Sequence, residues 1–192
     1  MANAKRRVEL SDPRALRALA HPVRMRLVGL LRTEGPLTAT QAAEQVGESP
    51  SNCSFHFRQL AKWGLVERAE GGKGRERPWR ATALFTSWQM SPVSGEGSDA
   101  RVALDRVLVQ TYVDLIGRWF DRRPSEPPQW LAVSGVGDWI IDVTAEELQT
   151  LEDAIDALVE PYVHGVRATL PEGARQVSFI HALVPTDETG TR

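Results

Sequence analysis

The sequence predicts an α+β fold in two parts: a helix-rich N-terminal half closed by a two-stranded hairpin, and a C-terminal half built on one long helix with a small α/β region behind it. Three observations carry this expectation. Apolar residues recur at helical spacing in one stretch after another. Two short β-prone runs flank a glycine-rich tip. The charge divides with the fold. Residues 1–85 hold 15 Lys+Arg and 8 Asp+Glu, a net of +7, and residues 86–192 hold 8 and 17, a net of -9. Together they give the formal charge of -2. A basic half points to a polyanionic partner that the acidic half avoids, with chance clustering on solvated faces as the bland alternative.

The elements follow in order. Residues 1–10 read as a basic arm, Lys5-Arg6-Arg7 either reaching along a DNA groove or lying disordered. A first helix is expected near 12–20, capped by Ser11, with Pro13 at its start and Leu16 and Leu19 buried. His21-Pro22 breaks the chain, with His21 as a cap or a buried hydrogen-bonded residue. The next helix carries Val23, Leu27, Leu30 and Leu31 at 3.6-residue spacing and ends at Gly35-Pro36. Thr38 and Gln41 form a capping box ahead of Ala42, Ala43 and Val46, and Gly47 ends that helix. Ser49 and Pro50 open a further helix in which Cys53, Phe57 and Leu60 make one buried stripe, stopped by Gly64. Strands are expected at 65–70 and 76–82 around a basic hairpin tip at 71–75.

Residues 86–99 read as a linker, and a long helix follows at about 100–121. Its stripe of Leu104, Leu108, Tyr112, Leu115 and Trp119, with Val109, Val113, Ile116 and Phe120 beside it, is broader than one chain needs to cover. A loop at 122–128 and a strand at 138–143 come next. Thr144 and Glu147 then box the start of a helix at 145–166 whose buried face is Leu148, Leu151, Ile155, Leu158, Tyr162 and Val166. A last strand at 176–184 and a frayed tail at 186–192 finish the chain. The domains are therefore 11–85, and 100–185 for dimerisation or effector binding.

A short capped helix, a tight turn, a second helix and a hairpin with a basic tip is a winged helix-turn-helix order. With Cys53, Phe57 and Leu60 turned inward, Ser51, Asn52, Ser54, Phe55, His56 and Arg58 fall mainly on the other faces. Short polar side chains near a helix N-terminus let the backbone approach base edges. Arg58 reaches a phosphate or the acceptor pair of guanine. Lys62, Arg68, Lys73, Arg75, Arg77 and Arg80 extend the basic surface onto the wing as a phosphate or minor-groove clamp. Phe55 either touches a thymine methyl or packs on a neighbouring helix.

The segments "ALRALAHPVRMRLVGLL", "GPLTATQAAEQVG", "SPSNCSFHFRQLAKWGLVER" and the hairpin up to "PWRAT" resemble, in order and spacing, the ArsR-type winged-helix transcriptional regulators of bacteria over about residues 9–85. The resemblance implies a homodimer on double-stranded DNA whose second motif helix enters the major groove, and it is the main ground for placing His56 against DNA. The remainder, with "VTAEEL", resembles more loosely the C-terminal part of some actinobacterial members. The metal-sensing branch is not matched. "TATQAAEQ" has no Cys-x-Cys pair, and residues 101–120 offer Asp105 and Asp114 but no histidine.

The reading is a sequence-specific regulator, repressor by default, working as a cytoplasmic homodimer on a pseudo-palindromic operator. It takes no cofactor, no metal and no membrane. A small-molecule effector sensed by the C-terminal half, or a winged helix used to bind protein, are its alternatives. Trp88, Trp119, Trp130 and Trp139 either line an effector pocket or fill a core and a subunit interface. His164 and His181 lie at unrelated spacing for a metal pair. Cys53 on the buried stripe acts as a small hydrophobe rather than a redox switch. No Walker loop, Gly-x-Gly-x-x-Gly, Gly-x-Ser-x-Gly or His-Glu-x-x-His motif is present, so no catalytic residue is nominated. One cysteine makes no internal disulfide, and no leading apolar run suggests a signal peptide.

Overall fold

A computed structural model describes residues 5–10, 12–71, 77–87, 96–164, 166 and 169–186. Five helices and two small sheets come first: β1 (Lys5–Glu9), α1 (Pro13–Leu19), α2 (Pro22–Thr33), α3 (Ala39–Val46), α4 (Pro50–Ala61), β2 (Val66–Arg68), β3 (Trp79–Ala81), β4 (Ala83–Ser87) and α5 (Glu96–Arg122). A 3-10 turn at Arg123–Ser125, α6 (Pro128–Leu131), α7 (Ala145–Val159) and a 3-10 turn at Glu160–Tyr162 follow. This is a winged helix fold with additional C-terminal helices.

Local chemistry sets the helix ends. Asp12 caps α1, its carboxylate accepting from the Arg14 N–H at 2.8 Å; the expected cap, Ser11, lies outside the described residues. His21 caps α2, Nδ1 accepting from the Val23 N–H at 3.2 Å. Thr38 and Gln41 close a complete capping box on α3, and Gly47 ends it in the left-handed region at φ 70°. Each such cap contributes about 1 kcal/mol.

The core lies where α1, α2, α3 and α4 meet the wing and the first half of α5. Leu27, Ala42, Cys53, Phe57, Leu60 and Leu104 are wholly buried. The boundary expected at residue 86 therefore does not separate two cores, because Ala100, Leu104 and Leu108 of α5 belong to the same cluster as Leu19 and Phe57. Residues 88–95 of the expected linker are outside the described residues, and its last four are already helical.

The hairpin is shorter than its sequence suggests. β2 and β3 pair antiparallel over three residues, Val66 opposite Ala81 and Arg68 opposite Trp79, with the expected tip outside the described residues. Trp79 also exchanges two backbone hydrogen bonds with Leu37, at 3.0 and 2.7 Å, so the wing is stitched to the α2–α3 connection. A second pairing was not legible in the sequence. β1 runs parallel to β4, Lys5 opposite Ala83 and Glu9 opposite Ser87, so residues 5–9 of the expected arm form a strand. Arg32 Nε fastens the start of β4 to α2 through the Ala83 carbonyl at 3.1 Å.

Beyond β4 the expectations divide. Thr144 and Glu147 box α7 as anticipated. The strands expected at 138–143 and 176–184 do not form: both stretches lack regular secondary structure, and among the described residues no strand pairs with them. Helix α7 stops at Val159, and its apolar face is not buried. Leu151, Leu158 and Tyr162 are exposed, and among the described residues the main packing partner of α7 is the turn that follows it. Among the described residues, none after Leu108 is buried. Of the tail expected at 186–192, residues 187–192 lie outside the described residues. No helix among the described residues is long and apolar enough to cross a membrane.

Candidate nucleic-acid interface

Helices α3 and α4 are joined by three residues, Gly47, Glu48 and Ser49. The amides of Gly47 and Glu48 both return to the Ala43 carbonyl, at 3.0 and 3.1 Å. The Ser49 hydroxyl accepts from the Asn52 N–H at 3.2 Å, and Pro50 supplies a first-turn residue with no N–H to satisfy. This turn fixes α4 against α3 while the Cys53, Phe57 and Leu60 stripe anchors it in the core. Phe57 stacks on Trp79, ring centroids 5.4 Å apart, so the helix and the wing are held as one body.

The outer face of α4 then follows from the helical period. Ser51, Phe55 and Arg58 are exposed, with Lys62 just past the helix end, and Asn52 and Ser54 are half-buried. Phe55 is 49% exposed, its ring set edge-to-face with His56 at 5.5 Å between centroids, which favours its outward reading. Asn52 is partly committed inside the chain, its amide donating to Glu48 Oε2 at 2.7 Å.

His56 does not join this face. It is 6% exposed and packs against His21, ring centroids 4.7 Å apart. The expectation that it meets DNA is corrected. At three residues from Cys53 and one from Phe57 it lies on the flank of the buried stripe, and α2 closes over that flank. Its Nδ1 is buried without a hydrogen-bond partner, as is Nε of Arg24 nearby. Burial, then the neighbouring His21 and Arg24 charges, push the His56 pKa below the ordinary histidine range, with Glu48 opposing. Burial and Arg24 lower His21 in the same direction. No local signal points to this pair, since 35 positions separate its members.

Cys53 is wholly buried. Its thiol pKa is pushed up by burial and by Glu48, with Arg26 partly offsetting, as befits a packing residue rather than a reactive one.

On the wing, Arg68 lies flat over Trp79 with its guanidinium carbon 3.8 Å from the ring centroid, and it donates to the Arg77 carbonyl at 2.5 Å. Burial against the ring lowers its pKa first. The positive charges of Arg77 and Arg58 lower it further, which places the three guanidiniums in one electropositive neighbourhood spanning wing and helix. Arg77 is exposed. Arg80 departs from the expected clamp, because both its Nε and Nη2 meet Glu67 Oε1 at 2.8 Å. Lys73 and Arg75 lie outside the described residues. The outward set brought together here is thus Ser51, Ser54, Phe55, Arg58, Lys62, Arg68 and Arg77. Its cations suit phosphate, and its short side chains suit close approach to base edges.

The tryptophans of the C-terminal half do not converge. Trp119 lies under Arg123 at 5.4 Å, Trp130 lies under Arg175 at 4.9 Å, and Trp139 is 92% exposed. Trp88 is outside the described residues. Arg175 also makes two contacts with the Glu126 carboxylate, at 2.7 and 3.3 Å, tying residue 175 to the end of α5. Among the described residues no cluster of three or more His, Cys, Asp or Glu could hold a metal ion.

Residues 19–69, from the end of α1 through β2, match a family model described as a helix-turn-helix domain. No curated protein matches the chain. Among solved structures, the PcaV transcriptional regulator from Streptomyces coelicolor in complex with its natural ligand is similar over 80% of this chain and 77% of that one. Sequence identity is 14% and the TM-score 0.29, too low to rest a reading on.

Proposed function

We propose that this chain is a sequence-specific DNA-binding transcription regulator of the ArsR type, acting as a homodimer and repressing by occupying a pseudo-palindromic operator. A helix-turn-helix domain is the module such regulators use. The observation that carries the reading is the joint outward face of α4 and the wing. The stripe Cys53, Phe57 and Leu60 turns in, while Arg58, Arg68 and Arg77 are exposed on the outside, and beyond the effect of burial the charges of Arg77 and Arg58 reach Arg68 strongly enough to lower its pKa. Like charges held together in one chain are unfavourable there, and a phosphate backbone relieves them.

In this reading α4 enters the major groove. Ser51, Ser54 and Phe55 lie against base edges, Arg58 and Lys62 reach base or phosphate, and Arg68 and Arg77 hold the flanking backbone. In the sequence, Lys73 and Arg75 continue the same basic run between β2 and β3. The acidic half, with a net of -9, keeps the C-terminal region off the duplex.

The test is capture of genomic fragments by the purified protein, in parallel with a Ser54→Ala/Arg58→Ala variant. Fragments sharing an inverted repeat and enriched only by the native protein would support the reading. Equal enrichment by both proteins, or a salt-insensitive interaction, would turn it toward a protein-binding winged helix.

A further inference from the structure

The hydrogen bond between Asn52 and Glu48 has a direction, and elementary chemistry sets it. A carboxylate only accepts. The Asn52 amide must therefore turn its nitrogen toward Glu48, Nδ2 donating to Oε2 at 2.7 Å. Its oxygen is left on the other side of the amide. Among the described residues nothing donates to Asn52 Oδ1, and unlike His56 Nδ1 it is not a buried atom without a partner. Asn52 is the third residue of α4 and half-buried, with exposed Ser51 before it and exposed Phe55 one turn on.

We propose that Glu48 is a positioning residue for base reading: it holds Asn52 with the amide oxygen toward the DNA, so that α4 accepts from the exocyclic amine of an adenine or a cytosine at one position of each half-site. The inference rests on the DNA reading above and deepens it.

Glu48 is itself held. Arg26 Nη2 lies 3.8 Å from Oε1, and the Glu48 side chain is only 25% exposed. One carboxylate oxygen faces the arginine and the other the asparagine, so the group has little freedom to swing. Arg26 also offsets a negative charge that a phosphate backbone would otherwise repel. The turn between α3 and α4 does not need this link to keep its shape. Ser49 already caps α4, and the amides of Gly47 and Glu48 already return to Ala43. What the Glu48 side chain adds is the choice of which end of the Asn52 amide faces outward.

That choice has a consequence in the major groove. Adenine N6 and cytosine N4 donate there, whereas guanine O6 and thymine O4 accept. An outward oxygen pairs with the first two and sets an unmatched acceptor against the others. An asparagine free to turn over would suit either kind. Glu48 thus makes a two-sided reader into a one-sided one.

The experiment begins with binding sites selected from a pool of randomised duplexes by the full native chain and by Asn52→Ala. The position whose preference disappears in Asn52→Ala is the one Asn52 reads. At that base pair the native protein is then tested on duplexes missing single groups. Purine for adenine, or pyrimidinone for cytosine, removes the amine. The deoxo analogue of the thymine or guanine opposite removes the keto oxygen and costs the duplex a comparable pairing bond. Removing the amine should weaken native binding about tenfold, and removing the keto oxygen should leave it nearly unchanged. The reverse result would show Asn52 donating and overturn the proposal, as would a selected site in which Asn52→Ala alters no position. Glu48→Gln isolates the positioning role. Glutamine keeps a hydrogen bond to Asn52 but offers a donor as well as an acceptor, so the amide can face either way. Preference for the native base pair over its reversal should fall from about tenfold to less than about threefold, with the other positions of the site unaltered. A Glu48→Gln variant that discriminates as the native chain does would leave only a structural brace and overturn the proposal. A selected inverted repeat with the wrong group response sinks this inference and leaves the DNA reading standing; no selected repeat sinks both.

Discussion

Acid should loosen the seat of α4 before it touches the rest of the fold. His21 Nδ1 accepts the Val23 N–H that caps α2, which requires that nitrogen to be unprotonated. Protonation converts the acceptor into a donor and removes the cap, at a cost of about 1 kcal/mol. The ring lies 4.7 Å from His56, so a proton on one disfavours a proton on the other. Burial holds both below the ordinary histidine range of about 6.5. The unfolded chain therefore binds more protons between its own pKa and the lower folded values. The contribution is complete above pH 6.5 and is lost as pH falls from 6.5 through those values. Carboxylates held below their ordinary range, Asp12 and Glu147 among them, lose their contributions only at lower pH still. Thermal unfolding at pH 7.5 and 5.0 isolates the histidines. The cap alone predicts a fall in Tm of about 2–4 °C for a chain of this length. His21→Asn keeps a capping acceptor without a titrating group and should lose that acid-sensitive share. An equal Tm at both pH values in the native protein would refute the reasoning, as would a His21→Asn variant falling as far as the native one.

Other consequences are equally open to measurement. Arg58→Ala and Arg77→Ala should each weaken DNA binding about uniformly across sequences and reduce the slope of log affinity against log salt by about 1, provided each contacts phosphate; filter binding over a salt series reads this directly. Trp79→Ala should cost about 3–5 kcal/mol in urea unfolding, because the ring lies between Phe57 and Arg68. Cys53→Ser should cost about 1–3 kcal/mol by placing a hydroxyl in an apolar site. Cys53→Ala should cost less than Cys53→Ser, and the native thiol should react with Ellman's reagent only as the chain unfolds.

The winged helix half was largely legible because its signals are local. Caps, proline and glycine positions and 3.6-residue spacing place α1 to α4 to within a residue or two, and Phe57 and Leu60 fall where the stripe puts them. What failed was what depends on distant partners. His56 reads as outward on a helical wheel, and only the arrival of α2 turns that flank inward. Arg80 reads as a free cation until the hairpin register sets it opposite Glu67. Residues 138–143 and 176–184 have strand-like composition, but a strand needs a neighbour and the described residues supply none. The face of α7 expected to be buried shows Leu151, Leu158 and Tyr162 instead, for the same reason, whereas the breadth of the α5 stripe already pointed to surface its own chain leaves uncovered.

The pairing of β1 with β4 bears on the order in which the fold assembles. The first partners, Lys5 and Ala83, are 78 positions apart, so the ladder closes a loop through the whole winged helix body. Loop closure of that length costs about 4 kcal/mol, and a two-stranded parallel ladder of five residues returns little of it. The helices should therefore collapse first, on local contacts, and the N-terminal strand should arrive last. In native-state hydrogen exchange, the amides of residues 5–9 should open at low free energy while those of α2 and α4 exchange only with global unfolding. A chain still emerging during synthesis would already present its helix-turn-helix face, with its first strand waiting for β4 to appear.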